Sequence, residues 1–194
     1  MAISYPISLP TSIGIANISL GAENAVAVSS SPFTYKQQVI QHPGQRWTAT
    51  VTIPPVRREF AEPWVAFLLA LRGQVGTFLL GDPAGVAPRG TATSATITGT
   101  TGDSSVSVTM TGTLLAGDYI QLGLGSDATL HKVVQDRNGS GTLEIWPALR
   151  KDRTAVAATL TSARGLFRLA TNQQNWSINE SSVYGITFDA VEAL

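Results

Sequence analysis

The chain has no cysteine. That excludes disulfides and thiolate metal sites. Histidine is nearly absent too: His42 and His131 are the two in 194 residues. They are isolated and carry no acidic spacing motif, so no metal and no cofactor is expected. Charge is scarce. Asp, Glu, Lys and Arg supply 13% of residues, about half the usual share. Thirteen basic and thirteen acidic side chains cancel, which leaves no field to draw in nucleic acid or an anionic membrane. The longest apolar run, "WVAFLLAL", falls far short of the roughly 20 residues that span a bilayer, so no membrane insertion is expected. The start, "MAISYPISLPTSIG", lacks the charged head and continuous apolar stretch of a secretion signal, and synthesis in the cytoplasm is the expectation.

What is present is apolar and β-forming. Hydrophobic residues make up 43%, enough for a proper core. A neutral, charge-poor surface is weakly protected against association, which suits a protein covered by neighbours. Short runs of Val, Ile and Thr are broken by Gly, Asn, Asp and Pro. The clearest strand is Trp47 to Ile53. Trp47, Ala49, Val51 and Ile53 point one way; Arg46, Thr48, Thr50 and Thr52 point the other. Pro54-Pro55 is expected to end it, because proline donates nothing to a ladder. Upstream, Gln41-His42-Pro43-Gly44 has the composition of a hairpin turn.

One helix is predicted near 60–72, within "REFAEPWVAFLLALRG". Pro63 suits a first turn, Glu59 and Glu62 suit the positive end, and Gly73 marks the stop. Trp64, Phe67, Leu68 and Leu71 form one stripe that should pack on a sheet. Near Pro88 the character changes to Thr, Ser and Gly without aromatics. Residues 88–165 are read as an inserted all-β module of five or six short strands. Residues 1–87 and 166–194 are read as one split domain around it.

Two regions then carry a resemblance. "SPFTYKQQVIQHPGQRWTATVTIPPVRREFAEPWVAFLLALRGQVGTFLLGDP" resembles the N-terminal part of distal tail and minor tail-tip proteins of long-tailed, siphovirus-type bacteriophages. "AGDYIQLG", "LHKVVQD", "GTLEIWPALR" and "GLFRLA" look like the β module of the same proteins. Together they cover most of the chain. The resemblance implies a mainly β protein: a split, tail-tube-like β-sandwich with one flanking α-helix and an inserted small barrel-like module. It implies a structural virion protein that forms a ring, usually a hexamer, between the tail tube and the hub and fibre proteins. It brings no catalytic residues.

The residues were weighed for chemistry in their own right. His42 sits among turn residues, without a nucleophile or an orienting partner nearby in sequence. His131 is read as a partly exposed strand histidine. Asp118 and Glu144 would have to converge to hydrolyse a glycan, and nothing in the sequence brings them together. Asp82, Asp103, Asp127 and Asp136 occupy loop positions that favour Asp. "RKDR", with Arg150, Lys151 and Arg153, is read as a solvated loop end or a partner contact, and Arg57 and Arg58 are read in the same way. Arg46, Thr48, Thr50 and Thr52 form a wettable, nearly uncharged stripe. In a ring it would line a lumen that DNA crosses as cargo, an idea that fails if the threonines pack against the helix. Trp47 and Trp64 are expected in the core. Trp146 and Trp176 fit either packing or sugar stacking, so a carbohydrate-binding tail module is the alternative function.

Overall fold

The computed structural model describes residues 3–194. Met1 and Ala2, the first residues of the expected split domain, lie outside the described residues. In chain order the elements are β1 (Asn17–Ser30), β2 (Gln37–Arg57), α1 (Arg58–Ala70), β3 (Phe78–Leu80), β4 (Ala95–Gly99), β5 (Ser105–Met110), β6 (Thr113–Leu114) and β7 (Tyr119–Leu122). Then follow β8 (Thr129–Val133), β9 (Arg137–Asn138), β10 (Gly141–Trp146), β11 (Arg153–Thr159), β12 (Gly165–Leu169), β13 (Trp176–Ile178) and β14 (Val183–Glu192). The protein is mainly β.

The first and last parts of the chain share one sheet. Its order is β1-β2-β14-β12-β3, with β13 on the end of β14. All pairings between its strands are antiparallel. Alternation on β2 does what the sequence asks. Trp47, Ala49, Val51 and Ile53 are buried, and α1 covers that side with Ala61, Trp64, Phe67, Leu68 and Leu71. Phe67 and Phe78 meet edge to face at 5.5 Å, and Phe78 meets Phe188 at 6.1 Å. Such pairs add to what area burial alone contributes. The helix stops at Arg72, whose φ of 51° and the following Gly73's φ of 68° turn the chain left-handed. Within the chain, the layer packed on this sheet is α1.

Strands β10-β5-β4-β11-β7-β8 close into a barrel, with β6 and β9 paired beside it. Closure removes free strand edges. Its interior holds Ile97, Val106, Val108, Ile120, Leu122 and Leu143. Thr98, Ser105, Ser107 and Thr109 alternate with them and face solvent, which is how so thin a composition still makes a core.

Two turn expectations are corrected. Gln41–Gly44 is not the hairpin turn. It lies inside β2, and the chain reverses instead at 31–36, where Ser31 N–H donates to Lys36 O at 2.9 Å and Tyr35 adopts φ 54°. Register runs Asn24↔Gln45 and then Val26↔Gln41, so His42, Pro43 and Gly44 bulge opposite Ala25. A bulge is where a strand tolerates a residue that cannot donate. Nor does Pro54-Pro55 end β2, which runs on to Arg57. The prolines lie past β1's last partner, Thr52, and beside the register break at Tyr184/Ile186 on β14. No ladder donor is needed there.

Candidate functional site

Three places concentrate what the chain could use: a bare arm, an open polar sheet face, and the seam where barrel meets sheet.

The arm is the distal half of the β1–β2 hairpin. Ala22–Ser30 and Pro32–Gly44 are exposed throughout. At about 3.3 Å per residue the exposed stretch of β1 extends about 30 Å. Antiparallel partners share a face, so Val26, Val28 and Val39 lie on one side and Ala27 and Ile40 on the other. These apolar side chains are half-exposed, and at the tip Phe33 and Tyr35 are 92% and 82% exposed. Lys36 is the one formally charged residue between Ala25 and Gly44. The outer edge of β1 has no strand partner among the described residues.

The open face holds Arg46, Thr48, Thr50 and Thr52. They lie on the side of β2 away from α1 and are exposed or half-buried. Thr50 Oγ1 donates to Asp189 Oδ1 at 2.6 Å, and Thr52 and Thr187 hydroxyls are 3.4 Å apart. Arg46 pairs with Glu23 at 2.6 Å, which holds the Glu23 carboxyl below its ordinary range. On this face Arg46 and Glu23 are paired, Asp189 is held by the Thr50 hydroxyl, and Arg168 lies across Val191 from Thr48.

The seam was not legible in the sequence. Glu192 is buried and pairs with Arg150 at 2.7 Å. It also accepts the Trp47 N–H at 3.0 Å, while Arg150 donates to Gln45 O at 2.6 Å. Gln45 Oε1 accepts the Ala148 N–H at 2.8 Å, and Trp47 Nε1 donates to Leu130 O at 2.9 Å. Barrel and sheet are thus stitched by charge-assisted bonds with partners on both sides.

His131 is corrected from a partly exposed residue to a fully buried one. Nδ1 lies 2.7 Å from Pro147 O, and Nε2 lies 2.9 Å from Thr129 Oγ1. A carbonyl only accepts, so Nδ1 carries the proton and Nε2 accepts the Thr129 hydroxyl. Burial, opposed by the Pro147 bond and reinforced by Arg150 and Arg153, lowers its pKa to about 4. It is a neutral structural ring.

The "RKDR" cluster is also turned inward, correcting the solvated-loop reading for two of its members. Arg150 reaches Glu192, and the buried Arg153 reaches Asp127 at 2.6 Å. Lys151 is exposed and also pairs with Asp127 at 2.6 Å. With Lys151 and then Arg153 beside it, Asp127 is held below its usual range. Arg57 is exposed, as is Arg58, which pairs with Glu62 one turn on at 3.0 Å.

Asp118 is buried and accepts N–H groups of Arg89 at 2.9 Å, Gly90 at 3.3 Å and Leu115 at 2.8 Å, which ties down the linker into the barrel. That carboxylate is a loop clamp. Among the described residues, no group of His, Asp and Glu is placed to hold a metal ion, and no helix is long and apolar enough to cross a membrane. What the fold and these surfaces define is a mainly β protein with a sheet split around a closed barrel and an uncovered arm. Compared with known proteins, the chain matches no family model and no curated protein.

Proposed function

We propose that this chain is a structural subunit of a phage tail tip, found in the virion, that assembles into a ring joining the tail tube to hub and fibre proteins. The observation that carries the reading is the arm. Val26, Val28, Val39, Ile40, Phe33 and Tyr35 are displayed to solvent on a two-stranded ribbon with an unpaired edge. Isolated ribbons are marginal in water, and apolar free edges invite pairing. A second copy that covers the arm satisfies both needs at about 25 cal/mol per Å² of apolar area buried. In a ring the contacts between copies are head-to-tail, the arm of one copy meeting a different surface of the next, with six copies expected from the resemblance.

The tail-tube-like split sandwich implied by the resemblance belongs to this proposal as well. So does the lumen. Arg46, Thr48, Thr50 and Thr52 lie away from α1, and a surface of hydroxyls with few charges, of both signs, gives passing DNA little to hold. Chemistry plays no part in this role, and no cofactor enters it. The test is the solution mass by light scattering, with the same sample imaged in negative stain. Closed rings are expected. A monomer at every concentration that also fails to co-sediment with isolated tail tubes contradicts the proposal.

A further inference from the structure

Beside the seam lies a groove of about 430 Å³, lined by Leu20, Trp47, Tyr119, Lys132, Val134 and Trp146. Trp146 is half-buried. Its ring meets Trp47 edge-on at 4.6 Å, and its Nε1 donates to Asn24 Oδ1 at 2.8 Å. Tyr119 is half-buried as well and lies 6.1 Å from Trp47, ring centre to ring centre. A smaller depression of about 240 Å³ adjoins this groove, and the two share Gly117, Tyr119 and Lys132. Its far side carries Asp82 and Arg89. The result is an elongated trough with aromatic rings at one end, an ammonium in the middle and a charged pair of opposite sign at the other.

Packing explains most of this aromatic surface, and the polar groups are partly engaged: Asp82 accepts the Ala84 N–H at 2.8 Å and Arg89 donates to Ala116 O. Lys132 Nζ lies 4.3 Å from the Tyr119 ring centre and donates one hydrogen to Tyr119 Oη at 3.1 Å. An ammonium has three donors, so two remain for a ligand. Arg89 is exposed and its guanidinium also faces Asp118 at 3.5 Å. The trough therefore combines apolar ring faces with a few convergent donors and acceptors and little net charge, as ligand sites do.

We infer that this trough binds an oligosaccharide. A pyranose offers an apolar C–H face to stack on an aromatic ring, with hydroxyls at its rim that both donate and accept. Trp146 supplies the ring, because Lys132 already sits over Tyr119, and Lys132, Tyr119 Oη, Asp82 and Arg89 supply the rim contacts. The shared middle makes the trough long enough for more than one sugar unit. An extended nucleic acid is disfavoured, because no basic stripe runs along it. The trough touches the arm only at its base, where Ala22 joins the lining and Asn24 accepts from Trp146 Nε1, and its test does not require ring assembly.

The experiment is a glycan array of neutral and acidic oligosaccharides probed with the labelled full chain, alongside a panel of proline-rich peptides. Retention of an oligosaccharide is expected. Trp146→Ala and Lys132→Met should each weaken it by about tenfold, the scale of one aromatic or charge-assisted contact. Leu124→Ala, exposed and remote from the trough, should leave it unchanged. Circular dichroism reports whether Trp146→Ala still folds; if it does not, Lys132→Met alone decides. Absence of any retained oligosaccharide, retention that survives the deciding variants, or retention of a proline-rich peptide instead would each overturn the inference.

Discussion

One hairpin contains two regions that differ in pattern and in fate. In β1 and β2, apolar residues alternate with polar ones near the sheet, whereas out along the arm both faces of the ribbon carry apolar side chains. Near the sheet, Trp47, Ala49, Val51 and Ile53 are buried under α1. Farther out, Val26, Val28 and Val39 on one side and Ala27 and Ile40 on the other all stay in solvent. Period-two patterning fixes which side chains share a face. It does not supply the layer that covers them. In the proximal half the chain provides that layer. In the distal half it does not, and the arm stays in solvent.

The comparison can be broken most strongly at Trp47. Trp47→Ala removes a buried indole, its bond to Leu130 O and its contact with Trp146. A loss of about 4 kcal/mol in chemical denaturation is expected for such a truncation. The next effect belongs to the buried pair. Glu192→Ala leaves Arg150 without its carboxylate and frees the Trp47 N–H. About 3 kcal/mol is expected, since an uncompensated buried cation remains.

His131 gives a pH signature that the arm lacks. Its pKa falls from 6.5 to about 4 on folding, so the unfolded chain binds the proton first. The stability it contributes is full above pH 6.5 and declines as pH falls from there towards 4, where it levels off. The span is about 3 kcal/mol at most. Comparing wild type with His131→Gln by denaturant titration at pH 7 and pH 4.5 should reveal it: the variant's stability falls less between the two. Equal falls would place the titration elsewhere. The smallest stability effect belongs to the arm. Val39→Ala should shift unfolding by no more than about 0.5 kcal/mol, as exposed positions do. A larger loss would mean that the arm is packed within its own chain.

Sequence reasoning reached what depends on local pattern. The stripe Trp64, Phe67, Leu68 and Leu71, the alternation of Trp47 to Ile53 and the mainly β class all follow from spacing. It missed what depends on pairing between distant strands. Pro43-Gly44 looks like a turn in any local window. Only the partner Ala25, opposite the three-residue bulge, makes it part of a strand. His131 and Leu130 are adjacent yet both buried, because β8 has the barrel interior on one side and the seam on the other. One signal was present and unread. Glu192 falls on the buried series Tyr184, Ile186, Phe188 and Ala190 of β14. A carboxylate on such a series calls for a buried cation, and Arg150 was the candidate in the densest charge cluster.

The claim at the centre of this account is that the arm makes the subunit contact while the rest of the chain makes the fold. It is tested most directly by the solution mass of wild type and of the double variant Val28→Glu/Val39→Glu, measured side by side by light scattering with unfolding midpoints recorded for both. Val28 and Val39 face each other across the ribbon, so two carboxylates there both repel one another and resist burial. The account expects a closed ring for wild type and a folded monomer with a near-unchanged midpoint for the variant. Rings of equal mass from both chains would contradict it.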